Sequence, residues 1–153
     1  MNLQAPSGDK SIRGFTLIEL LMVIAIVAIL GATVIPVGSA FLVRNHLKNK
    51  TNEVAATARI ARLNSLSGKE GSKWGLKIAG GEIVLFKGDS YAARDAAFDQ
   101  RYRLPQSITA TATELTFDVL TGNASSTATI NISSNLGDAN VVTINEVGTV
   151  NVN

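Results

Sequence analysis

Residues 14–43 read GFTLIELLMVIAIVAILGATVIPVGSAFLV. From Leu20 to Val43, twenty-four consecutive positions carry no ionisable side chain. About 20 apolar residues in a helix cross a hydrocarbon core of ~30 Å, so this run has the length of a membrane span. Gly31, Pro36 and Gly38 interrupt it, but lipid-embedded helices tolerate such residues better than helices in water. Glu19 stands at the front edge of the run, and Lys10 and Arg13 precede it.

Two ordinary explanations of the run fit badly. A cleaved secretory signal has a 7–15-residue apolar stretch and a small-residue cut site; here the stretch is longer and no small-x-small site closes it. A plain anchor gives no reason for Glu19. A carboxylate near the centre of a lone spanning helix costs about 2.5–3.5 kcal/mol, less near the interface, and an acid so placed calls for a named partner.

Gly14-Phe15-Thr16-Leu17-Ile18-Glu19-Leu20-Leu21 resembles the processing motif of type IV pilins and type II secretion pseudopilins: glycine, phenylalanine, an acid four residues on, then an unbroken apolar run. The resemblance implies that a prepilin peptidase cuts between Gly14 and Phe15, removing leader 1–14, and that Phe15 becomes an N-methylated first residue. It also implies assembly with other pilin or pseudopilin subunits. The chemistry is consistent with this. Gly14 lets the scissile bond lie extended in a narrow cleft. The new amine at Phe15 is a natural partner for Glu19 on a neighbouring copy displaced along a filament axis, which would favour staggered assembly over a free monomer among inner-membrane lipid.

Composition agrees with one anchor and one small domain. The chain has 153 residues, no cysteine and a single histidine, His46. That excludes a disulfide framework and thiol chemistry, and leaves little for imidazole-based sites. Lys10 and Arg13 keep the leader in the cytoplasm by the positive-inside rule, placing the C-terminal part beyond the inner membrane, in the periplasm or outside. Residues 40–103 hold 12 bases and six acids, whereas residues 104–153 hold Glu114, Asp118, Asp138 and Glu146 and no base. This asymmetry suits head-to-side contacts between subunits and a solvated surface equally.

Past the apolar run, residues 44–66 lack glycine and proline. Val43, Leu47, Val54, Ala58 and Ala61 fall near one helical face, with Ile60 and Leu63 beside it, while Arg44, Lys48, Asn52, Arg59 and Arg62 lie largely elsewhere. The helix is expected to end near Ser67-Gly68, with glycine as the left-handed cap. From Phe15 to Leu66 it would run 52 residues, about 75–80 Å. Pro36 is expected to kink it.

After Gly71 the period becomes two. Residues 74–78 and 82–86 around Gly80-Gly81 predict a β-hairpin. Residues 88–103 read as irregular and polar, anchored by Tyr91, Phe98 and Tyr102. Leu104-Pro105 marks a turn or edge. Strands follow at 107–112, 114–119, 127–132, 141–145 and 147–152, rich in Thr, Val and Ile. The expectation is therefore α+β: a long N-terminal helix, transmembrane over 15–43 and amphipathic over 44–67, packed on a small, mostly antiparallel β head over 68–153, with six or seven strands. Trp74-Gly75-Leu76, the Leu115-Thr116-Phe117-Asp118 strand before Thr121-Gly122, and the Val141…Val150 hairpin resemble the FimT/GspH-type minor pseudopilins. Some of those bind DNA through basic C-terminal tails; here the tail Gly148–Asn153 carries no base, so that property does not carry over.

Other chemistry is thin. Asp89, Asp95 and Asp99 fit no EF-hand spacing and read as a solvated loop. Asp138 and Glu146 are too few oxygen donors for a calcium site. Ser125-Ser126-Thr127 has no activating base, Trp74 reads as core, and His46 as exposed. No enzyme, metal or cofactor emerges. The reading is a structural filament subunit of a pilus or secretion machine. The alternative is a minor pilin whose head binds nucleic acid or secreted cargo, resting on the basic excess and on Arg94, Arg101 and Arg103.

Overall fold

The computed structural model describes residues 14–153, apart from the side chains of 32–38. The leader proposed for 1–14 lies outside the described residues except for Gly14, and the side chain of Pro36, with the kink expected there, lies outside them too. The chain forms two compact units, residues 1–38 and 39–153.

One helix, α1 (Leu17–Leu66), is assigned over 50 residues. Among the described residues of the first unit no large apolar side chain finds a cover. From Leu17 to Leu30 each is at least half exposed, from 50% at Val23 to 79% at Leu17. Among the described residues no helix is long and apolar enough to cross a membrane.

In the second unit α1 is amphipathic, as its spacing predicts. Leu47, Val54, Ala55, Ala58 and Ala61 are buried and share one core with residues from two β-sheets. Ile60 and Leu63, expected at the border of that face, are instead 40% and 64% exposed. Buried hydroxyls on the helix are satisfied locally: Thr51 Oγ1 donates to the Leu47 carbonyl at 2.8 Å and Thr57 Oγ1 to the Glu53 carbonyl at 2.7 Å. The helix closes at Gly68, whose φ of 62° places it in the left-handed region.

The sheets are wholly antiparallel. The first contains β1 (Trp74–Ala79), β2 (Glu82–Lys87), β3 (Asp95–Arg103) and β5 (Thr113–Phe117), in the order β3-β2-β1-β5. The second contains β4 (Ile108–Ala110), β6 (Ala128–Ser134), β7 (Ala139–Ile144) and β8 (Val150–Val152), in the order β4-β6-β7-β8. They join where Phe117 bridges Ala124 and the Ser125 N–H donates to the Thr116 carbonyl at 2.9 Å. The β1–β2 hairpin turns on Gly80 and Gly81, with φ of 59° and 76°. Two successive positive values are what a tight type I′ turn needs and what glycine supplies without strain.

Two expectations need correction. Eight strands in two sheets replace the six or seven anticipated. Residues 88–103 are also not irregular throughout: Asp95–Arg103 is the longest strand of the head. Its composition is poor in β-formers, but β2 provides a partner from Glu82↔Arg103 to Lys87↔Asp95, and Phe98 and Tyr102 pack against the core. Cross-strand pairing overrides local preference.

Candidate assembly site

The N-terminal site is built from backbone capping. Gly14, Phe15 and Thr16 precede α1. Phe15 is 82% exposed. The Thr16 hydroxyl accepts the Glu19 N–H at 3.3 Å, and the Thr16 carbonyl accepts the Leu20 N–H at 3.2 Å. Thr16 is thus the N-cap, satisfying an amide that the first helical turn leaves orphaned. Thr16-x-x-Glu19 has the pattern of a capping box. That role for Thr16 escaped the sequence reading, although the Thr-x-x-Glu spacing before an apolar run was there to signal it. The Glu19 carboxylate has no ionic partner among the described residues. It also favours the helix N-terminus, where the backbone dipole is positive. The geometry therefore leaves an unpaired carboxylate in the first turn of a bare apolar helix, four residues after Phe15.

The charged residues of the head are turned inward on themselves. Asp99, whose side chain is 5% exposed, takes the Arg94 Nε at 2.9 Å and the Arg101 Nη2 at 2.7 Å. The Arg94 guanidinium stacks 3.8 Å over the Tyr91 ring and donates to the Tyr91 carbonyl at 2.7 Å. Arg101 and Arg103 both reach Glu82, at 3.3 Å and 3.5 Å. Glu114 accepts the Tyr91 N–H at 2.9 Å and Lys77 Nζ at 3.0 Å. These contacts, the backbone N–H first, hold its carboxyl below the usual range. This network straps residues 88–94 over the outer face of the first sheet, where Tyr91 meets Phe86 edge to face at 5.6 Å. Arg94, Arg101 and Arg103, on which a binding role for the head would rest, thus each have an acidic partner within the chain.

Other candidates resolve into structural roles. Asp99 is an ion-paired, nearly buried acid rather than a solvated one, and Asp95 lies 3.8 Å from Lys87. Among the described residues no cluster could hold a metal ion. The Ser125 hydroxyl accepts the Thr116 N–H at 3.2 Å. Trp74 is buried; its backbone N–H donates to Ser65 Oγ at 2.9 Å and its Nε1 to the Lys69 carbonyl at 3.1 Å, tying the end of α1 to β1. His46 is exposed.

Residues 9–35 match the family model of the prokaryotic N-terminal methylation motif. Within that match lie Gly14, Phe15 and Glu19, the residues that carry the resemblance to type IV pilins. The chain is similar to two fimbrial proteins of Pseudomonas aeruginosa, each 41% identical over 61 residues, covering 40% of this chain and 40% of the relative. The chain thus spans about two-fifths of the length of the curated relatives it matches. No solved structure matches.

Proposed function

We propose that this chain is a filament subunit, held in the inner membrane by its N-terminal helix as a precursor. In this reading a prepilin peptidase cuts after Gly14 and Phe15 is methylated at its new amine. The subunit then assembles with other pilin-type subunits through residues 15–43, leaving 44–67 and the β head over 68–153 on the filament side of the membrane.

One observation carries this reading: an apolar helix exposed all round, from Leu17 to Leu30, with a single acid, Glu19, in its first turn. A helix apolar on every face needs an apolar surrounding, and the hydrophobic effect drives it into lipid or into a bundle of its own kind. Glu19 then selects the bundle, because only a neighbouring N-terminal amine neutralises it there. Mass spectrometry of the N-terminus from sheared filaments tests all steps together. The expected polypeptide begins at N-methyl-Phe15; one that retains Met1 in a filament contradicts the proposal.

A further inference from the structure

Three bases, Arg44, Lys48 and Lys50, follow the apolar run closely, and the first acid after them is Glu53. In the topology proposed above they stand on the side of the membrane opposite Lys10 and Arg13. The positive-inside rule accounts for the bases of the leader but not for these. Lys50 is bound to Glu53 at 2.6 Å. Arg44 and Lys48, four residues apart and so neighbours on one helical face, are both exposed. Both line a groove of about 540 Å³ between α1 and the ends of β7 and β8.

Leu47, Ala139 and Val152 give the groove an apolar lining, and Asp138 is the acid on its far wall. Arg44 meets Asp138 through Nε alone, at 3.2 Å, which leaves its two terminal nitrogens without a partner among the described residues. Lys48 has no ionic partner among them. Two basic side chains against one acidic side chain leave the groove one positive charge over.

The place of the groove along the helix says which anion it suits. Phe41 and Leu42, 64% and 57% exposed, stand at the end of an apolar run whose last residue is Val43. At 1.5 Å per residue, Arg44 lies about 1.5 Å and Lys48 about 7.5 Å beyond Val43. A headgroup layer of roughly 5–8 Å borders each side of the hydrocarbon core. With the hydrocarbon ending at Val43, both cations stand at the depth of lipid phosphate.

We propose that this groove binds the headgroup of an anionic phospholipid, with Arg44 and Lys48 on the phosphate and the apolar lining against the glycerol and the upper acyl chain. The proposal rests on the membrane-held precursor reading above. The surplus positive charge matches the single negative charge of a phosphatidylglycerol. A zwitterionic lipid brings a cation of its own, and the groove has no acid left to receive it, because Asp138 is taken by Arg44. The contact holds the base of the head at the membrane surface and is given up when the subunit leaves the bilayer.

Native mass spectrometry of the full-length chain reads the preference, with the chain released from non-ionic detergent micelles holding phosphatidylglycerol and phosphatidylcholine in equal amounts. Wild type is expected to carry phosphatidylglycerol about tenfold over phosphatidylcholine. A base at an anionic lipid surface contributes about fivefold. Lys48→Gln breaks no ion pair inside the chain and is expected to cut the preference by about that factor, whereas Arg103→Gln, on β3, leaves it unchanged. A wild-type preference under about twofold, or one that Lys48→Gln leaves intact, overturns the proposal. So does displacement of the lipid by an equal concentration of inorganic phosphate, which makes the groove a free-anion site. Alkaline carbonate extraction of membranes separates this failure from that of the reading beneath it. A chain that washes out of the membrane fraction sinks the membrane-held reading and the groove with it; a chain that stays and shows no lipid preference refutes the groove alone.

Discussion

Glu19 has two jobs in this account, and Thr16 shares only one of them. Both take part in capping α1, whereas only Glu19 can neutralise an amine. Removing a threonine N-cap costs about 1 kcal/mol, and every 1.4 kcal/mol is tenfold in an equilibrium constant. Thr16→Val keeps the shape and deletes the hydroxyl that accepts the Glu19 N–H at 3.3 Å. It should lower filament yield less than tenfold. Glu19→Gln keeps an amide oxygen able to reach back in the capping box and deletes the charge. An amine and a carboxylate ~4 Å apart attract by about 4 kcal/mol at an effective dielectric of 20. Part of that gain offsets desolvation, which leaves a deficit of roughly 2–3 kcal/mol per subunit, or thirty- to a hundredfold in assembly. Quantitative immunoblotting of sheared filaments against membrane-retained subunit gives the yield, and mass spectrometry confirms that both variants are processed. Equal damage from the two substitutions, or a Glu19→Gln yield within threefold of wild type, would mean that Glu19 acts as a helix cap and the charge pair does no work.

Three further outcomes are expected. Gly14→Val should leave full-length precursor in the membrane, seen as a slower band on a gel; a normally shortened product refutes cleavage at that bond. Gly75→Ala should destabilise the head, because a Cβ there meets the Leu115 carbonyl oxygen and the Phe86 ring, both at 2.5 Å; overpacking of about 3 kcal/mol predicts a fall of roughly 10 °C in Tm, and a shift under 3 °C by circular dichroism contradicts it. Glu114 has a folded pKa held below its ordinary 4.5, so its contribution is present above the unfolded value and is lost as pH falls through the folded one. The stability advantage of wild type over Glu114→Gln, small because the side chain is 36% exposed, should shrink between pH 4.5 and more acidic conditions in urea titrations; an advantage that grows on acidification reverses the assignment.

The elements that the sequence reveals are those whose signal is local. The apolar run, the Gly68 cap and the Gly80-Gly81 turn each depend on residues adjacent in the chain. The elements it conceals depend on partners far away. Asp95–Arg103 contains two alanines, two aspartates and two arginines, and nothing in it announces a strand; β2 makes it one. Asp99 reads as a hydrated loop acid until Arg94 and Arg101 close over it. Gly14, Phe15 and Glu19 stand out in the sequence as a motif, whereas the capping role of Thr16 is visible only in the 3.3 Å contact of its hydroxyl with the Glu19 N–H.

That contrast bears on how the chain divides its polar groups. Much of the charge of the head is matched inside the subunit: Lys73 lies 2.7 Å from Asp118, with its pKa raised chiefly by that hydrogen bond, and Lys77 meets Glu114. Among the described residues no buried side-chain nitrogen or oxygen lacks a partner. A subunit so self-contained has little electrostatic reason to associate through its head. The largest continuous set of groups left without internal partners lies on α1: the Glu19 carboxylate and the apolar side chains from Leu17 to Leu30. If association were driven by the head instead, reversing Arg103, whose side chain is 89% exposed, should disrupt filaments as strongly as Glu19→Gln. The placement of unsatisfied groups argues for the opposite order, with Arg103→Glu near wild-type yield and the helix substitutions dominant.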